Sequence, residues 1–150
     1  MLIDILLTLG RLSLVRYKSL TGKDGSTSGP FIVIDPKYKR DIPLLMHERT
    51  HAGQFWLAAT VWFAVFGGAY WLTGHIVAAL LIIPGGGAHQ ILQKLLPAYH
   101  RYVVITAHRA QLRYSDNPFD DAEFFAHHIA HHYNTGLTYS EALKKIIKGL

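Results

Sequence analysis

The sequence of 150 residues predicts one mainly helical domain, spanning residues 1–150, with a short β-hairpin near its N-terminus: an α+β chain in which helix dominates. Half of the residues are apolar and 17% are charged, a composition that packs around a core and does not stay disordered. Residues 11–20 (RLSLVRYKSL) and 31–34 (FIVI) look extended and flank the turn-forming run GKDGSTSGP. From residue 42 onward, helical spacing and Gly or Pro stop signals follow one another.

The apolar opening MLIDILLTLG carries Asp4 and lacks both the basic start and the small-residue cleavage site of a signal peptide, so it reads as part of the fold. The two extended runs then pair as the hairpin. Asp41 is a candidate N-cap and Pro43 suits a first helical turn, which predicts a helix over 42–66 that Gly67 and Gly68 end or bend. Residues 55–84 contain no Lys, Arg, Asp or Glu. That stretch is long enough for a membrane span, but glycines at 67, 68 and 74 cut it into pieces of core-helix length. Buried core is therefore the expectation, with a hydrophobic hairpin in a membrane as the alternative; Trp56, Trp62 and Trp71 favour the second. After a PGGG loop at 84–87, residues 89–114 read as a helix broken at Pro97, residues 122–133 as another, and 140–148 as a last one capped by Ser140.

The net charge of +5 comes from scattered Lys and Arg, so no nucleic-acid partner is predicted. There is no cysteine, which excludes disulfides and thiolate metal sites and leaves His, Asp and Glu as the strong ligands. Residues 47–51 read HERTH, a complete H-E-x-x-H. On a helix His47 and His51 stack one turn apart and can grip one zinc ion, while Glu48 sits where it can take a proton from water. A second histidine group, HHIAHH at 127–132, puts His127 over His131 and His128 over His132, with Glu123 one turn earlier. It reads either as a second metal site or as a solvated, pH-responsive face. Arg101, Arg109 and Arg113 read as a polar helix face, and Tyr99, Tyr102 and Tyr114 are candidates for polarising a carbonyl.

HERTH followed by Ala52, Gly53 and Gln54, an apolar helix, and then the segment RYVVITAHRAQLR resembles the small gluzincin-like metallopeptidase domains of bacteria and bacteriophages, over residues 30–145. The resemblance implies a zincin-like fold, a Zn2+ cofactor, hydrolysis of a peptide or cell-wall peptide by an activated water, and a cytoplasmic or virion-associated setting. In that family a downstream helix supplies a third ligand, usually Glu, from E-x-E-A followed by an aromatic residue and then Gln. Ala107, His108 and Gln111 match that frame, whereas its two glutamates fall on Val104 and Thr106. His108, Glu123 and His100, in that order, are the candidates to replace the missing ligand. The alternative is a catalytically silent zincin-fold protein, such as a phage virion or tail component binding other virion proteins.

Overall fold

The computed structural model describes residues 1–82, 85 and 87–148. It is mainly helical with a small sheet, in the order α1 (Leu2–Gly10), β1 (Leu14–Tyr17), β2 (Gly25–Ser28), β3 (Phe31–Ile34), α2 (Ile42–Thr73), α3 (Ile76–Ile82), α4 (Ala88–Leu95), α5 (Pro97–Leu112), α6 (Pro118–His132) and α7 (Tyr139–Ile147). The loop expected at 84–87 falls partly on residues 84 and 86, outside the described residues.

The opening segment is a helix because Ile3, Leu6, Leu7 and Gly10 recur at three- and four-residue spacing and are its buried face. It packs on α2 at very short range. A Cβ on Gly53 would lie 2.0 Å from the Leu6 carbonyl oxygen, and one on Gly10 would lie 2.1 Å from that of Arg49. Glycine at these two positions is what lets the backbones touch.

The expected hairpin is corrected by the sheet. Strand β1 runs parallel to β3, with Leu14 opposite Phe31, and the antiparallel partner of β3 is β2, with Ser28 opposite Phe31. The pairing follows from the turn: Gly29 adopts φ 58 and, with Pro30, makes a two-residue connection between β2 and β3. Ser and Gly in β2 gave it no β-rich signature, so only pairing reveals it as a strand. The order β1-β3-β2 leaves β2 with one free edge. Asp35 closes the sheet end, accepting from the backbone N–H of Leu20 at 3.0 Å and of Lys37 at 3.1 Å.

Asp41 caps α2 as expected, accepting from Leu44 N–H at 2.8 Å. The helix does not end at Gly67 and Gly68. It runs 32 residues to Gly74, which terminates it in the left-handed conformation at φ 68. Both internal glycines keep helical hydrogen bonding, since glycine weakens a helix by only about 1 kcal/mol without breaking it. The core expectation for 55–84 is also corrected: 17% of the most apolar eighteen-residue window of α2 is buried, and the distal part of α2 stands with α3 away from the rest of the chain.

The main core lies between α5, α6 and α7, where Leu112, Ile129 and Ile146 are almost fully enclosed. The last helix is capped by Thr138, not Ser140, through a reciprocal capping box with Glu141. Replacing Gly53 with Ala should destabilise the protein by about 1–3 kcal/mol, because the methyl group must push α1 off α2. Urea unfolding measures it; an unchanged midpoint would mean that α1 is not held at that distance.

Candidate metal centre

Helix α2 enters under the sheet and places His47, Glu48 and His51 in its first three turns, beneath β2 and against α5. His47 and Glu48 are buried. The two imidazoles meet at their tips, with Nε2 of His47 and Nε2 of His51 3.1 Å apart. Two nitrogens bound at about 2.0–2.1 Å to one tetrahedral zinc ion would stand only slightly farther apart.

Gln54 decides what the His51 tip offers. Its side-chain amide is buried and donates through Nε2 to the Val103 carbonyl on α5 at 3.1 Å. That orientation leaves Oε1 facing His51 Nδ1, also at 3.1 Å, so the ring carries its proton on Nδ1 and presents a lone pair at Nε2. A metal-ligating imidazole is held in this same manner, its outer N–H given to a fixed acceptor. His47 Nδ1 is buried without a hydrogen-bond partner.

Glu48 lies against the sheet. Its Oε2 accepts from Thr27 Oγ1 at 2.5 Å, and the same hydroxyl is 3.1 Å from the Glu48 carbonyl oxygen. Gly25 makes room for the carboxyl group, since a Cβ there would come within 2.8 Å of Glu48 Oε1. Burial raises the Glu48 pKa from its ordinary value, opposed by the Thr27 hydrogen bond and by the positive charge of Lys23. A carboxylate shifted upward is a better proton acceptor than an exposed one. Tyr133, at the C-terminus of α6, is raised as well, first by burial and then by the nearby Glu48 charge.

Two cavities flank these groups. One of about 310 Å³ is lined by Thr27, His47, Glu48, His51, His89, His100, Val104 and Tyr133; the other, of about 650 Å³, by Asp24, His47, Glu48, His108, Gln111, His128, His132 and Tyr133. Ser26, His47, Glu48 and Tyr133 form the wall common to both.

The candidate third ligands separate clearly. His108 is buried with its ring centroid 4.6 Å from that of His47, and neither of its nitrogens has a hydrogen-bond partner. His100 reaches the smaller cavity. Glu123 is exposed on α6 and lines neither cavity. Among the described residues no three His, Asp or Glu side chains are gathered closely enough to hold one ion. Val104, the position of the first frame glutamate, is buried and does face His47 and His51, while Thr106 is turned to the Tyr102 carbonyl.

The HHIAHH pairs stack as the spacing demands, with ring centroids 4.4 Å apart for His127 and His131 and 4.6 Å for His128 and His132. His127 and His131 are exposed, whereas His128 leans toward His108 at 6.5 Å. Of the tyrosines proposed from sequence, Tyr99 holds His89 Nδ1 at 3.0 Å, and Tyr102 lies beside Tyr99 on a separate apolar pocket. Tyr114 is exposed and lines neither cavity. Arg109 and Arg113 reach the Lys148 carbonyl and Asp4, away from both cavities. Sequence reasoning missed Tyr133, Thr27, Gln54 and His89. The spacing of Gln54, three after His51 and seven after His47, was the one available signal, because it puts all three on one helix face.

Comparison with known protein families, with curated proteins and with solved structures finds no match to this chain.

Replacing Gln54 with Leu leaves the His51 Nδ1–H without a partner, at a cost of about 1–3 kcal/mol, while the Val103 carbonyl keeps its helical bond within α5. Nitrogen NMR of the His51 ring should then register a mixture of tautomers, and an unchanged spectrum would refute the tautomer assignment. Burial pushes His51 and His89 down to about 4 and His108 to about 3, and it lowers His47. All four stay neutral in the folded metal-free protein while the unfolded chain protonates near 6.5. The stability linked to His51, His89 and His108 is thus complete above pH 6.5 and is lost as pH falls toward 4, by up to about 1.4 kcal/mol per pH unit for each, and His47 acts in the same direction. Denaturation between pH 7 and pH 4 checks the slope.

Proposed function

We propose that this chain is a zinc-dependent, zincin-like hydrolase of peptide bonds. The observation that carries the reading is the pair of His47 and His51 Nε2 atoms, 3.1 Å apart, with Glu48 between them in sequence and beside them in a cavity. The donor set fits zinc at two positions: His51 presents an Nε2 lone pair fixed by Gln54, and His47 Nε2 stands 3.1 Å from it. His108 is the residue we assign as third ligand. Neither of its nitrogens has a hydrogen-bond partner, and its ring stands edge-on to that of His47 with centroids 4.6 Å apart.

Bound zinc would supply Lewis acidity toward a carbonyl and lower the pKa of water at the site. The chain's own residues do the rest. Glu48, raised by burial, accepts the proton of a water in the cavity at its carboxylate and returns it to the leaving amine. Thr27 holds one oxygen of that carboxylate, and the other lies against Gly25. Tyr133 stays protonated across the neutral range and can donate from the common cavity wall to an oxygen gaining negative charge. The free edge of β2, which lines both cavities through Ser26, offers backbone groups along which an extended peptide can lie as a further strand.

A second reading, a catalytically silent zincin-like protein serving in an assembly such as a virion, draws on Val104 standing where the domains that the sequence resembles carry a ligating glutamate. Metal content of tag-free protein separates the two. One zinc per chain is expected, lost in His47→Ala, His51→Ala and His108→Ala and kept when the four histidines of 127–132 are replaced. Glu48→Gln should keep the metal while peptide hydrolysis falls about 10²–10⁴-fold. Unchanged turnover in that variant would remove Glu48 from the mechanism. Val104→Glu, which adds a carboxylate on the wall facing both histidines, should tighten zinc at least about tenfold if that wall adjoins the metal; weaker binding would place the ion elsewhere.

A further inference from the structure

Beyond residue 61 the chain leaves its own core. Trp62 Nε1 donates to the Leu81 carbonyl at 2.6 Å, and from that crossbar α2 and α3 run out together to a tip at Thr73, Gly74 and His75. Side chains that would ordinarily be buried are open: Trp71 is 84% exposed, Leu72 77%, Ile76 68% and Val77 63%. At 100° per residue, Val61, Val65 and Leu72 fall on one side of α2, Phe63 and Tyr70 on the opposite side, and Trp71 on a third, all of them exposed. Trp62, with Phe66 packed on it, ties α2 to α3, and at the root Val61, Val65 and Phe66 line an apolar pocket with Leu92, Tyr99 and Tyr102. No Lys, Arg, Asp or Glu occurs anywhere in residues 62–81.

We infer that residues 62–81 form a hairpin that inserts into one leaflet of a lipid bilayer. Three features favour lipid over a protein partner. A second copy or a groove covers one face of a helix, whereas this hairpin is apolar on every open side, and lipid alone surrounds a projection completely. Part of the tip's polar complement is bonded internally: Gly74 N–H donates to the Tyr70 carbonyl at 2.7 Å, Thr73 Oγ1 to the Ala69 carbonyl at 2.6 Å, and His75 N–H to Thr73 Oγ1 at 3.3 Å. Hydrocarbon demands internal bonding of this kind, and a turn in water does not. The length fits as well. Twelve residues from Trp62 to Thr73 rise about 18 Å, roughly half of a 30 Å hydrocarbon layer, so the hairpin enters and returns without crossing.

The surface at its root continues the pattern. Because α1 packs antiparallel on α2, with Gly10 at Arg49 and Leu6 at Gly53, the exposed Met1 and Leu2 come level with Leu57 and Ala58, about one turn before the hairpin begins. On α4, Leu95 and Leu96 are exposed too. His51 lies eleven residues before Trp62, about 16 Å along the helix, which holds the histidine pair in water beyond the headgroups. The inference does not depend on the metal reading.

The test is flotation of the purified full chain with vesicles of phosphatidylcholine and phosphatidylglycerol. Wild type should float, and a Trp71→Asp, Ile76→Asp double variant should float at least tenfold less with an unchanged urea midpoint, since neither side chain touches the core. Wild type remaining with the unbound fraction, or the double variant floating equally well, would overturn the inference. So would wild-type dimers that the double variant abolishes in the absence of lipid binding, which would assign the hairpin to a second copy. Lipids brominated at successive acyl depths should quench the emission lost in Trp71→Phe within one leaflet, and quenching that places Trp71 at the far headgroups would replace insertion by spanning.

Discussion

The buried amide of Gln54 is the contact on which the centre of this molecule turns. It is donated to the Val103 carbonyl of α5 and accepts from His51 of α2, so it ties together the two helices that enclose the site and fixes which nitrogen of His51 is free. A buried amide satisfied at both ends admits one orientation of its neighbours, because each unpaired group would cost more than the bond is worth. Apolar residues at that position could fill the space equally well. They could not specify a tautomer.

Close backbone approach supplies the second constraint. Gly10 and Gly53 allow α1 to lie directly on α2, and Gly25 lets β2 settle over Glu48. The sheet is thereby pressed onto the helix that carries the histidines, and Thr27 reaches the Glu48 carboxylate. Placing an acid beneath a sheet, away from water, raises its proton affinity. The same packing leaves His47 Nδ1 and both nitrogens of His108 without hydrogen-bond partners. Fold and chemistry are joined here by a small number of missing side-chain atoms.

Helix α2 has two environments along one uninterrupted length. Its first part is polar on the face toward the cavities and buried by α1, the sheet and α5; its last part is apolar and open. A single rigid element therefore relates the height of the histidine pair to the position of the hairpin, as a shorter helix ending at Gly67 could not. Gly67 and Gly68 are accommodated because nothing crowds them and the helical hydrogen bonds continue through them.

The sequence by itself determined the HERTH helix, the Asp41 cap, the break at Pro97 and the stacking of the paired histidines in 127–132, because each of these depends on neighbours within a turn or two. It also determined the lack of charge over 55–84, but not whether that stretch is core or projection, since burial depends on what else the chain has to lay against it. Only the tertiary structure decided that β1 pairs parallel with β3, that β2 is a strand at all, that Val104 and His108 both approach the histidine pair while Glu123 does not, and that Tyr133 joins Glu48. Those are contacts between residues far apart in the chain. Their geometry is set by close packing and by the satisfaction of buried polar groups, neither of which leaves a local pattern to read.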